Sequence, residues 1–354
     1  MDRKISINVN ACLPEMIIAE TIYSDYGAVI VWEKTELNQN IINRLKDLDI
    51  EIIQVYESSL PHNRKRKEVK PQKKEEANFT ESYEKNTDEF KTVLQDLSAG
   101  KTSSIEKTHK IVESVYARKD QHREIIDCVT QIRKIDEYTY YHSINVSMLS
   151  MLIGKWMKLM PDDIRLLTQA GLLHDVGKCR ISPAIINKPD KLDEDEYEEM
   201  KKHSEYGYYL VQYIEGMDRK VMETILYHHE RYDGSGYPMG LVGEQIPLFA
   251  RIVGVADTFD AMTANRPYRL KSSPFNVFEL MQNGCFGYLD PIVLNAFLLN
   301  ISYYYIGSKV RLSDGRNAEV VYINRQQYGK PVVKVGEDYL DMSVIKNITI
   351  MEML

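Results

Sequence analysis

Apolar positions along the chain change their period twice, and the changes divide it. Between residues 5 and 56 they fall in short runs, ISINV, MIIAETIY and AVIVW, with a turn at Ser24 to Gly27 and a closing IEIIQVY. This spacing predicts strands. One stretch among them has helical spacing: it starts near Asn38 as cap and carries Ile41, Ile42, Leu45 and Leu48 on one face. Residues 1–57 are therefore expected to form a small α/β unit. The pattern then lapses into a polar segment containing RKRK at Arg64 to Lys67 and two prolines, which predicts a charged linker over residues 58–78.

From about Phe79 to residue 306 the spacing is helical. Phe90, Val93, Leu94 and Leu97 begin it, and Ile111, Val112 and Val115, then Ile125, Ile126 and Val129, continue it. The segment TYYHSINVSMLSMLIGKWMKL presents His142 at the head of a strongly apolar helix. Ile164 to Leu173 predicts another that runs into HDVGK at residues 174–178, and Leu192 to Met200 a third with His203 at its end. Val221, Met222, Ile225 and Leu226 lead into HHERYDGSGYP at residues 228–238. LFARIVGVADTFDAMTANRPYR places Asp257 and Asp260 on a helix whose apolar side is Ile252, Val253, Val255 and Phe259. In the tail, VRLSDGRNAEVVYI has a turn between strand-like runs and PVVKV follows another glycine, so residues 307–354 predict a small β-meander. The expected class is mainly α, with a small N-terminal α/β domain and a small β-rich C-terminal extension.

Composition narrows the function. A chain of 354 residues with 44% hydrophobic and 27% charged positions is ordinary globular material. Its net charge of −7 argues against a duplex nucleic-acid coat, which needs clustered Lys and Arg. Cys12, Cys128, Cys179 and Cys285 are widely spaced without CxxC, so neither a disulfide framework nor a zinc ribbon is indicated. The charged start and the lack of any run near ~18 apolar residues predict a cytoplasmic protein with no membrane span.

Five of the eight histidines, His142, His174, His203, His228 and His229, join Asp175 and Asp257 in the helical region, each at a helix end or beside a turn. His109 and His122 lie among charged residues and are expected at the surface. A His-Asp pair leaving a buried helix is costly unless something charged satisfies it. Nitrogen and oxygen ligands without thiolates suit iron, manganese or zinc. Seven such side chains exceed one ordinary coordination sphere, whereas two ions roughly 3.5–4 Å apart that share a carboxylate use them and can clamp an in-line phosphoryl displacement. The expected chemistry is metal-assisted phosphoester hydrolysis. Gly234 and Gly236 are expected to shape a tight turn holding Asp233 and Tyr237 near the histidines.

Residues from about 79 to 306 resemble an HD-GYP domain, through HDVGK at 174, His203 after KPDKL, HHERYDGSGYP at 228 and RIVGVADTFDAMTANRPYR at 251. The resemblance implies an all-helical hydrolase of the bacterial second messenger cyclic di-GMP with a binuclear, in some members trinuclear, metal centre. It assigns one ion to His142, His174, Asp175 and Asp257, and a second to Asp175, His203, His228 and His229. Iron or manganese is the expected pair. A Glu four residues before the first His accompanies a third ion. Tyr138 stands at that position and Glu137 is one residue off, about 100° away on a helix, so two ions are expected. Lys178 is expected to face the scissile phosphate as catalytic residue with Asp175. Tyr237, Asp260, Arg266 and Arg269 are expected to bind substrate, the arginines through planar forks and the tyrosine by stacking. The expected reaction yields linear pGpG, with slow or no further cleavage to GMP. The alternative is a cyclic dinucleotide receptor of little turnover that signals to a protein partner through the flanking domains; a homodimer is a further expectation. Cys179 beside Lys178 is read as a buried, inert thiol.

Overall fold

The structure, a computed structural model, describes residues 3–23, 29–38, 41–42, 45–46, 48, 50–60, 72–101, 106–131, 138–188, 190–263, 273–285 and 287–354. The chain divides into two compact units, Met1–Lys74 and Glu75–Leu354. In the first, β1 (Lys4–Asn8) pairs antiparallel with β4 (Ile52–Tyr56), Lys4 opposite Tyr56 and Asn8 opposite Ile52. β2 (Ile22–Tyr23) pairs with β3 (Val29–Val31). Helical backbone at residues 41–42 and 45–46 begins as expected, for Asn38 Oδ1 accepts the Ile41 N–H at 2.8 Å. Ile18, Ile42, Leu45 and Val55 close a separate apolar core. His62 and the basic cluster Arg64 to Lys67 lie outside the described residues.

In the second unit, α1 spans Gln72–Ser98, so the end of the expected linker is already helical. α2 (Glu106–Tyr116) and α3 (His122–Gln131) follow. α4 (Tyr138–Trp156) is buried on nearly every side, as its almost continuous apolar sequence requires. α5 (Pro161–Leu173) lies against it closely enough that a Cβ on Gly171 would meet Ser147 Cα and the Val146 carbonyl at 3.0 Å. A 3₁₀ turn at Val176–Arg180 leads to α6 (Pro183–Ile186), α7 (Glu194–Lys201), α8 (His203–Val211) and α9 (Arg219–Tyr227). After the glycine loop come α10 (Leu248–Thr263), α11 (Pro274–Gly284) and α12 (Pro291–Tyr303).

The tail forms β5 (Lys309–Leu312), β6 (Asn317–Tyr322), β7 (Val332–Val335), β8 (Asp338–Asp341) and β9 (Ile350–Met353). The sheet order is β8-β7-β6-β5-β9. Four strands make the expected meander, and the last returns to pair with β5. Val310, Val320, Val333 and Ile350 continue the apolar core of the helices. Gly329 shows why the sheet fits there, since a Cβ would strike Glu279 and the Phe275 carbonyl of α11 at 2.5 and 2.6 Å. Among the described residues, no helix is long and apolar enough to cross a membrane.

His122 departs from its surface expectation. It is partly buried, with Nδ1 hydrogen-bonded to the Tyr304 hydroxyl, Nε2 2.9 Å from Lys155 Nζ, and its ring edge-on to Trp156. Apolar rings from α4 and α12 cover it, which its charged neighbours in sequence do not reveal.

Candidate metal centre

Each candidate ligand emerges where a helix ends or another crosses it. His174 is the C-cap of α5, and Asp175 opens the 3₁₀ turn. Gly177 lets that turn press against α8: a Cβ there would lie 1.9 Å from the His203 carbonyl oxygen and 2.4 Å from Gly207 N. His203 starts α8, with only Lys202 between it and the end of α7, and His228 caps α9. His142 on α4 faces Asp257 on α10, with Nε2 3.1 Å from Oδ1.

These elements bring all seven residues together. Asp175, His203, His228 and His229 offer ligand atoms within 4.8 Å of one another, as do His142, His174 and Asp257. Asp175 stands between the groups. Its Oδ1 is 3.3 Å from His203 Nε2 and 3.8 Å from His228 Nε2, while its Oδ2 is 3.3 Å from His174 Nε2 and 3.7 Å from His142 Nε2.

The hydrogen bonds on the far sides of the rings decide what the near sides can do. Nδ1 of His174, His203 and His228 donates to the carbonyls of Gly171, Met200 and Ile225 at 2.8, 2.7 and 2.9 Å. A carbonyl only accepts, so Nδ1 carries the proton and a neutral ring turns a bare Nε2 lone pair inward. The Nε2 atoms of His203 and His228 are 3.3 Å apart. His174 Nε2 and Asp175 Oδ1 are buried without any hydrogen bond. Converging lone pairs and a buried carboxylate repel unless positive charge lies among them, so this set fits divalent cations with nitrogen and oxygen preference.

Charge within the cluster follows the same geometry. Burial pushes His203 down to about 4, Lys178 adding to the effect against Asp175, and holds His228 and His229 well below the usual imidazole range, so these rings are neutral near pH 7. Burial also acts to lower His142, but hydrogen bonds to Asp257 and Asp260 outweigh it and raise the ring to about 10. Burial would raise Asp175, yet the Lys178 ammonium keeps it well below the carboxylate range. Asp257 is likewise held low against burial, chiefly by His142. Lys178 Nζ reaches Asp175 Oδ2 at 2.5 Å and is partly exposed. Cys179 is half-buried, and burial pushes its thiol up.

The glycine loop forms one wall. Gly236 is required because a Cβ would meet Arg231 N at 2.3 Å and the His229 carbonyl at 2.5 Å. Tyr237 stacks on His229, ring centres 4.7 Å apart, with Lys201 Nζ 5.8 Å from its centroid. The buried Glu230 carboxylate accepts the N–H groups of Met239 and Leu241 at 2.7 and 2.9 Å and so fixes the far side of the loop. Asp233, expected near the histidines, is exposed, and its Oδ1 accepts from the backbone and hydroxyl of Ser235. It shapes the turn.

Asp260 also departs from expectation. It is fully buried, with Oδ2 accepting from His142 Nδ1 at 2.8 Å and Oδ1 from Asn145 Nδ2 at 2.9 Å. Both oxygens are engaged behind the ligand, which leaves no path to substrate. Arg266 and Arg269 lie outside the described residues, as do Glu137 and the side chain of Tyr138. Asn145 and Glu230 escaped the sequence reading. Asn145 follows His142 by three positions on one helical face, a spacing that offered a signal.

The HD domain family matches residues 111–293. A cyclic di-GMP phosphodiesterase of Pseudomonas aeruginosa is 32% identical over 244 residues, 69% of this chain and 59% of that protein. A cyclic di-GMP phosphodiesterase response regulator of Xanthomonas campestris is 47% identical over 125 residues, 35% of this chain and 33% of that protein. A 3'3'-cGAMP-specific phosphodiesterase of Vibrio cholerae is 39% identical over 171 residues, 48% and 39% of the two chains. The chain thus spans from about a third to three fifths of the length of these relatives. A solved HDG"Y"P protein from Bdellovibrio bacteriovorus shares the fold with TM-score 0.55 at 17% identity, covering 83% of this chain and 98% of that one.

Proposed function

The chain belongs to the HD domain family, and from that premise we propose that it is a metal-dependent phosphodiesterase that opens cyclic di-GMP to linear pGpG, with slower cleavage onward to GMP. The observation that carries this reading is Asp175, whose two oxygens face two different groups of imidazoles. That arrangement suits two ions sharing one carboxylate. One group is His142, His174, Asp175 and Asp257; the other is Asp175, His203, His228 and His229. These residues would hold divalent iron or manganese, which when bound would supply activated water at neutral pH and neutralise the phosphodiester.

The chain's own groups do the rest. The backbone carbonyls of Gly171, Met200 and Ile225 hold three rings in the tautomer that presents Nε2. Lys178, partly exposed beside Asp175, is assigned to a phosphate oxygen, where its ammonium offsets charge that grows as one P–O bond of the ring breaks and water is added. Tyr237 keeps the glycine loop against His229 and offers its edge to a base. Arg266 and Arg269 remain candidates for phosphate or guanine.

The names of the relatives support cyclic dinucleotides as the substrate class and leave two choices of base. The test is chromatography of nucleotide products after anaerobic reconstitution with Fe²⁺ or Mn²⁺, using cyclic di-GMP and 3'3'-cGAMP in parallel, beside a His174→Ala control. Linear pGpG from cyclic di-GMP is the expected product. Tight binding without product under either metal would replace the enzyme by a receptor, and rapid GMP formation would overturn the product assignment alone.

A further inference from the structure

Behind His142 runs a buried chain of hydrogen bonds that ends on a different helix. Asp260 on α10 accepts from His142 Nδ1 at 2.8 Å and from Asn145 Nδ2 at 2.9 Å; Asn145 Oδ1 on α4 accepts from the Tyr83 hydroxyl on α1 at 2.6 Å. Tyr83 and Asn145 are each 1% exposed, His142 5% and Asp260 0%, so water does not substitute for any link.

The direction of every bond is fixed by chemistry. An ionised carboxylate only accepts, so the NH₂ group of Asn145 must face Asp260 and its carbonyl must face Tyr83. The Tyr83 hydroxyl is then the donor to that carbonyl, and without it the buried amide oxygen loses its partner and the amide is freer to turn away from Asp260. A flipped amide would set its oxygen against Asp260 Oδ1, turn that carboxylate, and release the imidazole it aims. The ring of Tyr83 is seated independently, against Tyr141 with centres 5.6 Å apart, and α1 buries Phe79, Phe90, Val93 and Leu97 in the core. Asn86 Nδ2 on the same helix donates to Ser114 Oγ on α2 at 3.1 Å.

We propose that Tyr83 is a positioning residue of the metal centre: through Asn145 and Asp260 it fixes the imidazole of His142, so that the seating of α1 sets how tightly the group of His142, His174 and Asp257 holds its ion. This rests on reading that group as a metal site. An interatomic window of a few tenths of an ångström separates a good hydrogen bond from a poor one, so a small shift of α1 across α4 is enough to loosen the ligand without moving α10.

The test uses the full chain and Mn²⁺ as probe, with stepwise binding followed by competition against a chelating dye. Tyr83→Phe keeps the ring and removes the hydroxyl. It is expected to weaken one binding step by roughly 2- to 12-fold, the equivalent of one net hydrogen bond. Asp260→Asn is expected to weaken the same step by roughly 10- to 100-fold, and neither variant should change the other step. Val320→Ala, which opens the core under β6 and changes neither α1 nor the chain of hydrogen bonds, should lower stability and leave both steps as they are. Wild-type affinity in Tyr83→Phe beside a weakened Asp260→Asn would remove Tyr83 from the relay while leaving the metal site in place. Equal weakening by Val320→Ala would reduce the effect of Tyr83→Phe to lost stability and overturn the proposal. If His142→Ala and Asp260→Asn both bound Mn²⁺ as the wild type does, the metal reading itself would fall.

Discussion

Lys178 places its ammonium 2.5 Å from Oδ2 of Asp175, a carboxylate whose two oxygens face both groups of histidines. The two residues are three positions apart on a tight 3₁₀ turn, so their pairing is built into the local backbone. Asp175 is buried and Lys178 partly exposed. A partly exposed cation thus stands beside a buried anion, which separates charge stabilisation from coordination and makes the two testable apart.

Lys178→Ala should keep its metals and lose turnover by about 10²–10³-fold, the usual effect of removing one group that stabilises developing negative charge. The metal-free variant should also unfold more readily than the metal-free wild type, because a buried carboxylate has lost its nearest cation. Product formation and metal content measured on one preparation decide it. Near-normal hydrolysis would free Lys178 of the assigned role.

On the proposed reading with two ions per chain, Asp175→Ala should lose both. Elemental analysis of protein reconstituted anaerobically is the measurement, and a ratio near three or near zero would contradict the assignment. Chelation should lower the melting temperature, and added Mn²⁺ should restore it in a concentration-dependent way, because the ions bind the folded chain preferentially.

Gly177→Ala should damage the site without touching a ligand side chain. The new Cβ would sit 1.9 Å from the His203 carbonyl oxygen, a backbone atom that cannot rotate away. Overpacking of this kind costs about 1–3 kcal/mol, and here it also displaces the first residue of α8. Denaturant midpoints together with metal content should both fall; loss of neither would show that the 3₁₀ turn can slide.

Stability should depend on His122 in mild acid. Burial, reinforced by Lys155, holds this imidazole down to about 4 from its ordinary 6.5, so between those values the unfolded chain takes up a proton that the folded chain refuses. The contribution is therefore complete above about pH 6.5 and shrinks as the pH falls toward 4. Chemical denaturation at pH 7 and pH 5 should show a larger loss for the wild type than for His122→Gln, whatever the absolute stability of the variant. Equal losses would place the titration elsewhere.

Some of this was legible in the sequence for simple reasons. A helix such as α4, apolar on almost every side, can only be central, and polar ligands at the ends of such helices are too costly to bury unless they share a task. That is why the ligand types and the helical class could be read from residues alone, along with the need for glycine in the loop after His229. The tail showed its strands through turn residues, but not that β9 would return to β5, since pairing across such a separation carries no local signal.

What only the tertiary structure decided is which polar group faces which. Asp257 and Asp260 are three apart on one face of α10, and nothing in their spacing says that the first turns to the cluster while the second stands behind His142. The crossing of α10 with α4 sets that choice. Tyr83 lies 62 residues from Asn145, and Asn145 lies 115 from Asp260. Their connection exists only because three helices pack into one core, where a buried polar atom must find its partner at whatever distance along the chain the fold brings one.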